Sequence, residues 1–311
     1  MNHGRTEIQL AKQGIGLPFK NGAGFQSGQE RNGIFDAVEQ ALPQLIAGHG
    51  LDQRIFRVVD LYEMFEIHGA DVNIPAMQLE RILQKHGFGS RRECRGLIRR
   101  NRVAIAGQIC DDPFVELDTE GLVFTVDGVD WPYAEFATLM LHKPAGYECS
   151  RKPKHHASVL ELLPVPLRER DVQPMGRLDE DTTGLLLITD DGQLNHQLSS
   201  AKRKVPKVYL ATTKHPLDQA QIDQLLAGVL LADEYETIAA AAAEIVGEYQ
   251  LRLTLSEGKY HQAKRMVAAV SNRVEALHRE AVGELTLPSD LKPGEWRWLS
   301  AADLQKLGYT P

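Results

Sequence analysis

Between Gly176 and Gly192 the chain reads GRLDEDTTGLLLITDDG, a short acidic turn set directly before an unbroken apolar run. Arg177, Asp179, Glu180 and Asp181 place three carboxylates close behind a guanidinium. A carboxylate beside a cation keeps its charge when desolvated, which is what a nucleophile or general base needs. Leu185, Leu186, Leu187 and Ile188, bounded by Gly184 and by Asp190-Asp191-Gly192, predict a strand buried on both faces. Such a strand is a rigid mount for the turn at its mouth. By themselves these residues also fit a solvated turn with a surface salt bridge.

A second group is basic. From Arg81 to Cys110 the chain carries Arg81, Lys85, Arg91, Arg92, Arg95, Arg99, Arg100 and Arg102 against the single acid Glu93. Leu79, Ile82 and Leu83 predict one helix, which Gly87 stops. Ser90 followed by Glu93 is a capping box opening a second, with Cys94, Leu97 and Ile98 on its buried side. Arg91, Arg95 and Arg99 recur every four residues, so they form one exposed stripe on that helix. Guanidinium groups match phosphate oxygens in a bidentate way, and a face almost free of acids favours phosphate binding over a merely solvated surface. The formal net charge of -7 does not argue against this. A local patch acts within a screening length of about 8 to 10 Å, whatever the total.

The chain that must position these groups has 311 residues, enough for two or three domains. No apolar run approaches the length of a membrane span, and the N-terminus lacks the apolar core of a secretory signal, so the expectation is a cytoplasmic protein. Cys94, Cys110 and Cys149 are too scattered for a disulfide framework, and His155 and His156 lack a second cluster at metal-ligand spacing. No metal is expected. The first thirty or so residues read as a flexible tail and 34–74 as one or two helices. Short strands are expected at Val103–Ala106 and Val115–Leu117, then a spacer over 118–136, then a strand at Thr138–His142. Further on come a helix at Gln193–Ser200, a strand at Lys207–Leu210, a helix at Leu217–Leu226 and an alternating strand through Tyr249, Leu251, Leu253 and Leu255. A helix with Met266, Val267 and Val270 inside, two strands within Val274–Leu287 and a closing helix capped by Ser300 and Asp303 follow. With no regular strand–helix–strand rhythm, the fold class is α+β around one mixed sheet.

Three pieces, GRLDEDTTGLLLITDDG, KVYLAT and SEGKYHQAKRM with the RVEALHRE segment, together resemble the pseudouridine synthases. HREAVGELTL is similar to the branch that modifies 16S rRNA, and the 77–136 segment, with SRREC and NRV, resembles an S4 RNA-binding domain. The resemblance implies a small S4-like domain and spacer at 77–136, a mixed-sheet catalytic domain at 137–311, and an extension over 1–76 that is either appended or due to an upstream start codon. It implies isomerisation of a uridine within 16S rRNA or a small-subunit assembly intermediate, without cofactor; the alternatives are a synthase acting on 23S rRNA or tRNA and a catalytically silent S4-type RNA-binding ribosome-assembly protein, and a monomer is expected. It further implies Asp179 as the catalytic carboxylate, with Arg265 as the cation against it and Lys264 as the rival. Tyr209 would pack on the target base, and Arg177 would fill the gap left by the extracted nucleotide. Arg91, Arg92, Arg95 and Arg99 would hold the RNA backbone.

Overall fold

The computed structural model describes residues 76–199, 204–231 and 234–309. The tail and helices expected before residue 76 lie outside them. A two-residue strand, Met77–Gln78, paired with Glu116–Leu117, leads into two helices, α1 (Leu79–Lys85) and α2 (Arg91–Arg99). The capping box forms as read: Ser90 Oγ accepts from the Glu93 amide while the Glu93 carboxylate accepts from the Ser90 amide. Leu79, Ile82, Leu83, Cys94 and Ile98 are fully buried between the helices and a four-stranded antiparallel sheet. That sheet comprises β1 (Val103–Ile105), β2 (Gln108–Ile109), β3 (Val123–Val126) and β4 (Val129–Pro132), in the order β2-β1-β3-β4.

The stretch 118–136 is therefore not a spacer. Its hairpin turns at Asp127-Gly128, both with positive φ (52° and 81°), which is the conformation an Asp-Gly two-residue turn favours. Phe124, Val126, Trp131 and Tyr133 point into the same apolar cluster as Leu139, Leu141, Leu186 and Ile188. One continuous core thus crosses the 136/137 boundary.

The larger sheet has nine strands among the described residues: β5 (Thr138–Lys143), β6 (Gln173–Met175), β7 (Thr183–Thr189), β8 (Lys207–Thr213), β9 (Ala242–Gly247), β10 (Gln250–Leu255), β11 (Val274–Val282), β12 (Leu285–Thr286) and β13 (Trp296–Trp298). The main order is β9-β10-β8-β11-β7-β5-β13, with β6 paired to β7 and β12 to β11. All pairings are antiparallel except β7 with β11, so the sheet is mixed. As its apolar run predicts, β7 is buried on both faces. Leu186 and Ile188 join the core beneath the N-terminal helices, whereas Leu185 and Leu187 pack with Met140, Leu194 and Leu307 on the other side. Four further helices pack on this sheet: α3 (Gly192–Ser199), α4 (Gln219–Ala227), α5 (Gln262–Ala269) and α6 (Ala301–Lys306). Ala263, Met266 and Val267 seat α5 on Leu251, Leu253 and Leu277 of the sheet. No helix among the described residues is long and apolar enough to cross a membrane.

Where β7 meets β11, Gly184 sits opposite Arg279 with φ +107°, and a Cβ there would lie 2.3 Å from the Arg279 carbonyl oxygen. The two strands approach this closely only because one carries no side chain. Gly184→Ala is expected to destabilise by about 4 kcal/mol or more, because the strands must separate. Gly176→Ala (φ +75°, no heavy atom within 4 Å) is expected to cost only the left-handed backbone penalty, about 1–2 kcal/mol. Urea unfolding of the two variants checks the difference.

Candidate active site

The register of the large sheet sets one lateral row: Leu253 on β10, Tyr209 on β8, Arg279 on β11, Gly184 on β7 and Lys143 on β5. Directly paired residues project to the same face, so Tyr209, Arg279 and Lys143 share the face that carries α5 and the first core cluster. The turn bearing Asp179 enters β7 beside this row.

Lys143 is fully buried, and its ammonium is spent on backbone. Nζ donates to the carbonyls of Pro144, Glu180 and Thr182 at 3.0, 2.9 and 2.8 Å, one acceptor for each of its three N–H bonds. Burial lowers its pKa, and the nearby Cys149 thiol with Glu180, Asp181 and Asp179 pulls the other way. The Gly146 amide donates to the Glu180 carbonyl (3.1 Å) and the Thr182 amide to the Asp179 carbonyl (3.1 Å), closing the acidic turn. Nothing in the sequence marks Lys143; the carbonyls its ammonium meets reveal its role.

The Asp179 carboxylate is half-buried and faces α5. Lys264 Nζ lies 3.2 Å from Oδ2, and His261 Nε2 lies 3.1 Å from Oδ1. Lys264 also contacts Asp181 at 2.7 and 2.9 Å. Burial alone would lower the Lys264 pKa, but Asp181 and Asp179 raise it. Conversely, partial burial would raise the Asp181 carboxyl, and the Lys264 ammonium lowers it. Lys264 and Asp181 thus each favour the charged form of the other.

This corrects the expectation for Arg265. The ion pairs of Asp179 are with Lys264 and His261, while Arg265 Nη1 donates to the Tyr260 carbonyl at 3.3 Å. Lys264 faces the turn, and Arg265, the next residue along the helix, projects about 100° away from it. Arg177 is exposed, and the turn's ionic partners come from α5. Tyr209 is half-buried between the two core clusters. Arg279, to which no role was given from sequence, is 2% exposed; its Nε donates to the Leu185 carbonyl at 2.7 Å.

The arginine stripe divides. Arg91, Arg92 and Arg99 are exposed, with Arg91 Nε donating to Gln84 at 3.2 Å. Arg95 does not join them: its guanidinium grips the buried Glu80 carboxylate in a fork, with Nη2 to Oε1 at 3.0 Å, and lies 5.1 Å over the Phe114 ring. The hydrogen bond from Arg95 holds the Glu80 carboxyl below its usual range. Helical spacing located Arg95 on the stripe, but an acid one turn into the preceding helix claims it.

Past the Lys143 turn, Glu148 accepts the backbone amides of Lys154, His155 and His156 at 3.0, 2.8 and 2.9 Å. Those three bonds pull its pKa down to about 2. They wrap the basic Arg151–His156 loop around one carboxylate; no group of three metal-ligating side chains occurs among the described residues.

Residues 137–269 match the family described as RNA pseudouridylate synthase. The ribosomal small subunit pseudouridine synthase A of Yersinia pestis is 39% identical over 235 residues, 75% of this chain and 98% of that protein. Its Escherichia coli K12 namesake is 40% identical over 231 residues, 73% and 98% of the two chains. A crystal structure of a pseudouridylate synthase superimposes with a TM-score of 0.53 at 34% identity, covering 75% of this chain and all of that one. The chain belongs to the RNA pseudouridine synthases, and is thereby an isomerase.

Two outcomes test the scaffold. Lys143→Met removes a donor from three carbonyls, of which that of Glu180 keeps the Gly146 amide, so it is expected to keep the overall circular dichroism spectrum while abolishing most activity, as the Asp179 turn loses its anchor. Arg95→Met is expected to lower the melting temperature at pH 7, with Glu80→Gln added on top restoring part of the loss. The sign follows from the depressed Glu80 carboxyl: its contribution is complete above about 4.5 and lost as pH falls through the lower folded value, so the wild-type advantage over Arg95→Met shrinks in acid. An equal melting temperature in Arg95→Met would overturn this.

Proposed function

We propose that the chain isomerises one uridine of 16S rRNA, free or within a small-subunit assembly intermediate, with Asp179 as the essential carboxylate. The observation that carries this is the Asp179 carboxylate held between Lys264 and His261 at the mouth of a strand buried on both faces. The reaction breaks the N1–C1′ bond, turns the uracil and joins C5 to C1′; C5 gives up its proton and N1 gains one, so neither a redox partner nor a metal is required. It does require a charged carboxylate beside the sugar. Lys264 sets a cation 3.2 Å from that carboxylate.

In this reading Tyr209 packs on the flipped uracil, and Arg177 occupies the gap left in the stack. Lys264 also touches substrate. Residues 77–136 act as an S4-type RNA-binding unit whose exposed Arg91, Arg92 and Arg99 hold phosphates; the cations supply affinity and salt dependence, while the site selects the uridine. The relatives named for the ribosomal small subunit support the choice of RNA. Acting on nascent ribosomal RNA, the protein works in the cytoplasm as a monomer.

Tritium release from 5-tritiated uridine in 16S rRNA tests the assignment, with 23S rRNA and tRNA alongside. Wild type is expected to release tritium from 16S rRNA and Asp179→Ala is not. Lys264→Met should lower kcat about tenfold, the loss of a charge-assisted contact of about 1.4 kcal/mol, and more than Arg265→Met does. Release by Asp179→Ala at the wild-type rate would overturn the role of Asp179.

A further inference from the structure

At the entrance to α5, the Tyr260 ring stacks on the His261 imidazole, centroids 3.7 Å apart and planes 21° from parallel. Tyr260 is 77% exposed, so its outer face is open to solvent. The imidazole beneath it is fixed at its edge, Nε2 lying 3.1 Å from Asp179 Oδ1. The backbone is committed to the arrangement as well. His261 lies at φ 49°, ψ 31°, the left-handed region that side-chain-bearing residues rarely adopt, and the Tyr260 carbonyl accepts from Arg265 Nη1 at 3.3 Å. Strain of this kind persists where surrounding structure enforces it, and it clusters at functional sites.

An exposed aromatic face, rigidly backed and coupled to the reacting carboxylate, is what a nucleobase stacks on. We propose that Tyr260 and His261 form a stacking platform for a nucleotide adjacent to the target uridine. This rests on the reading of Asp179 as the residue that meets the target sugar. Extruding a nucleotide from a stack uncovers the faces of its neighbours, and a platform beside the site covers one of them again. The occupant is a neighbour and not the target, because Asp179 lies at the edge of the imidazole, whereas a base on the open Tyr260 face lies one stacking step, ~3.4 Å, beyond a ring that is itself 3.7 Å from the imidazole. Stacking is tolerant of base identity, so the platform adds affinity and register and leaves base discrimination to other contacts.

The test is a cycle between protein and RNA. Tritium release is measured for wild type, Tyr260→Phe and Tyr260→Ala on a 16S rRNA fragment, and on fragments with an abasic nucleotide on the 5′ or the 3′ side of the target. RNA affinity is measured in parallel by fluorescence anisotropy. Because the ring is exposed, both variants are expected to fold as wild type does. Tyr260→Ala is expected to raise KM and Kd about tenfold with kcat within about twofold, and Tyr260→Phe to match wild type. An abasic nucleotide on one side should weaken wild type by the same factor and leave Tyr260→Ala unaffected. Unchanged KM and Kd in Tyr260→Ala, or an abasic penalty equal in both proteins, overturns the platform. A fall in kcat alone also overturns it, assigning Tyr260 to the support of His261. If wild type releases no tritium from any fragment, yet Tyr260→Ala still binds RNA about tenfold more weakly and loses the abasic effect, the Asp179 reading fails and the platform stands.

Discussion

The ammonium of Lys143, buried under the acidic turn with its three N–H bonds on three carbonyls, is the contact the active site depends on. A turn of three carboxylates in four residues repels itself and has backbone carbonyls with no strand partner. A single cation placed below it satisfies both demands: it accepts the negative field of the turn and ends the exposed carbonyls. Burying an ammonium is unfavourable unless its hydrogen bonds are replaced and opposite charge is near, and here both hold. The consequence is a carboxylate at residue 179 whose backbone is fixed while its side chain stays free to face α5.

Charge in this protein is paired locally and left open where RNA would approach. Arg95 is consumed by Glu80, and Arg170, 8% exposed, by Asp190 at 2.7 Å with the carbonyls of Ala134 and Glu135. The first pair joins the two N-terminal helices to each other, and the second ties the 134–137 junction to the end of β7 in the large sheet. Arg91, Arg92, Arg99 and the Arg151–His156 loop remain at the surface. Arg95 and the exposed Arg91, Arg92 and Arg99 come from the same basic stretch and differ in whether a buried acid lies within reach.

Much of the architecture is written in short-range pattern. The capping box at Ser90–Glu93, the doubly buried run Leu185–Ile188 and the alternation from Leu251 to Leu255 each appear in the structure because the signal and the element occupy the same few residues. The hairpin at Asp127-Gly128 was equally legible, and reading 118–136 as a spacer passed over an Asp-Gly turn between alternating residues. Asp179 stood out through its motif, but its partner did not, since Lys264 and Arg265 are adjacent and identical in charge.

What the sequence by itself determined is the kind of protein: an α+β chain with an acidic turn on a rigid strand, a basic helix pair and the motif set of the RNA pseudouridine synthases. What only the tertiary structure decided is which side chains meet. Lys264 rather than Arg265 reaches a turn 83 residues away, Arg95 leaves the stripe for Glu80, Lys143 goes inside, and Tyr260 comes to lie on His261 beside Asp179. The reason is one of range: periodicity and capping are set by neighbours within a turn of helix or a pair of strand residues, whereas a contact between distant residues depends on sheet register and helix rotation, which the whole core selects at once.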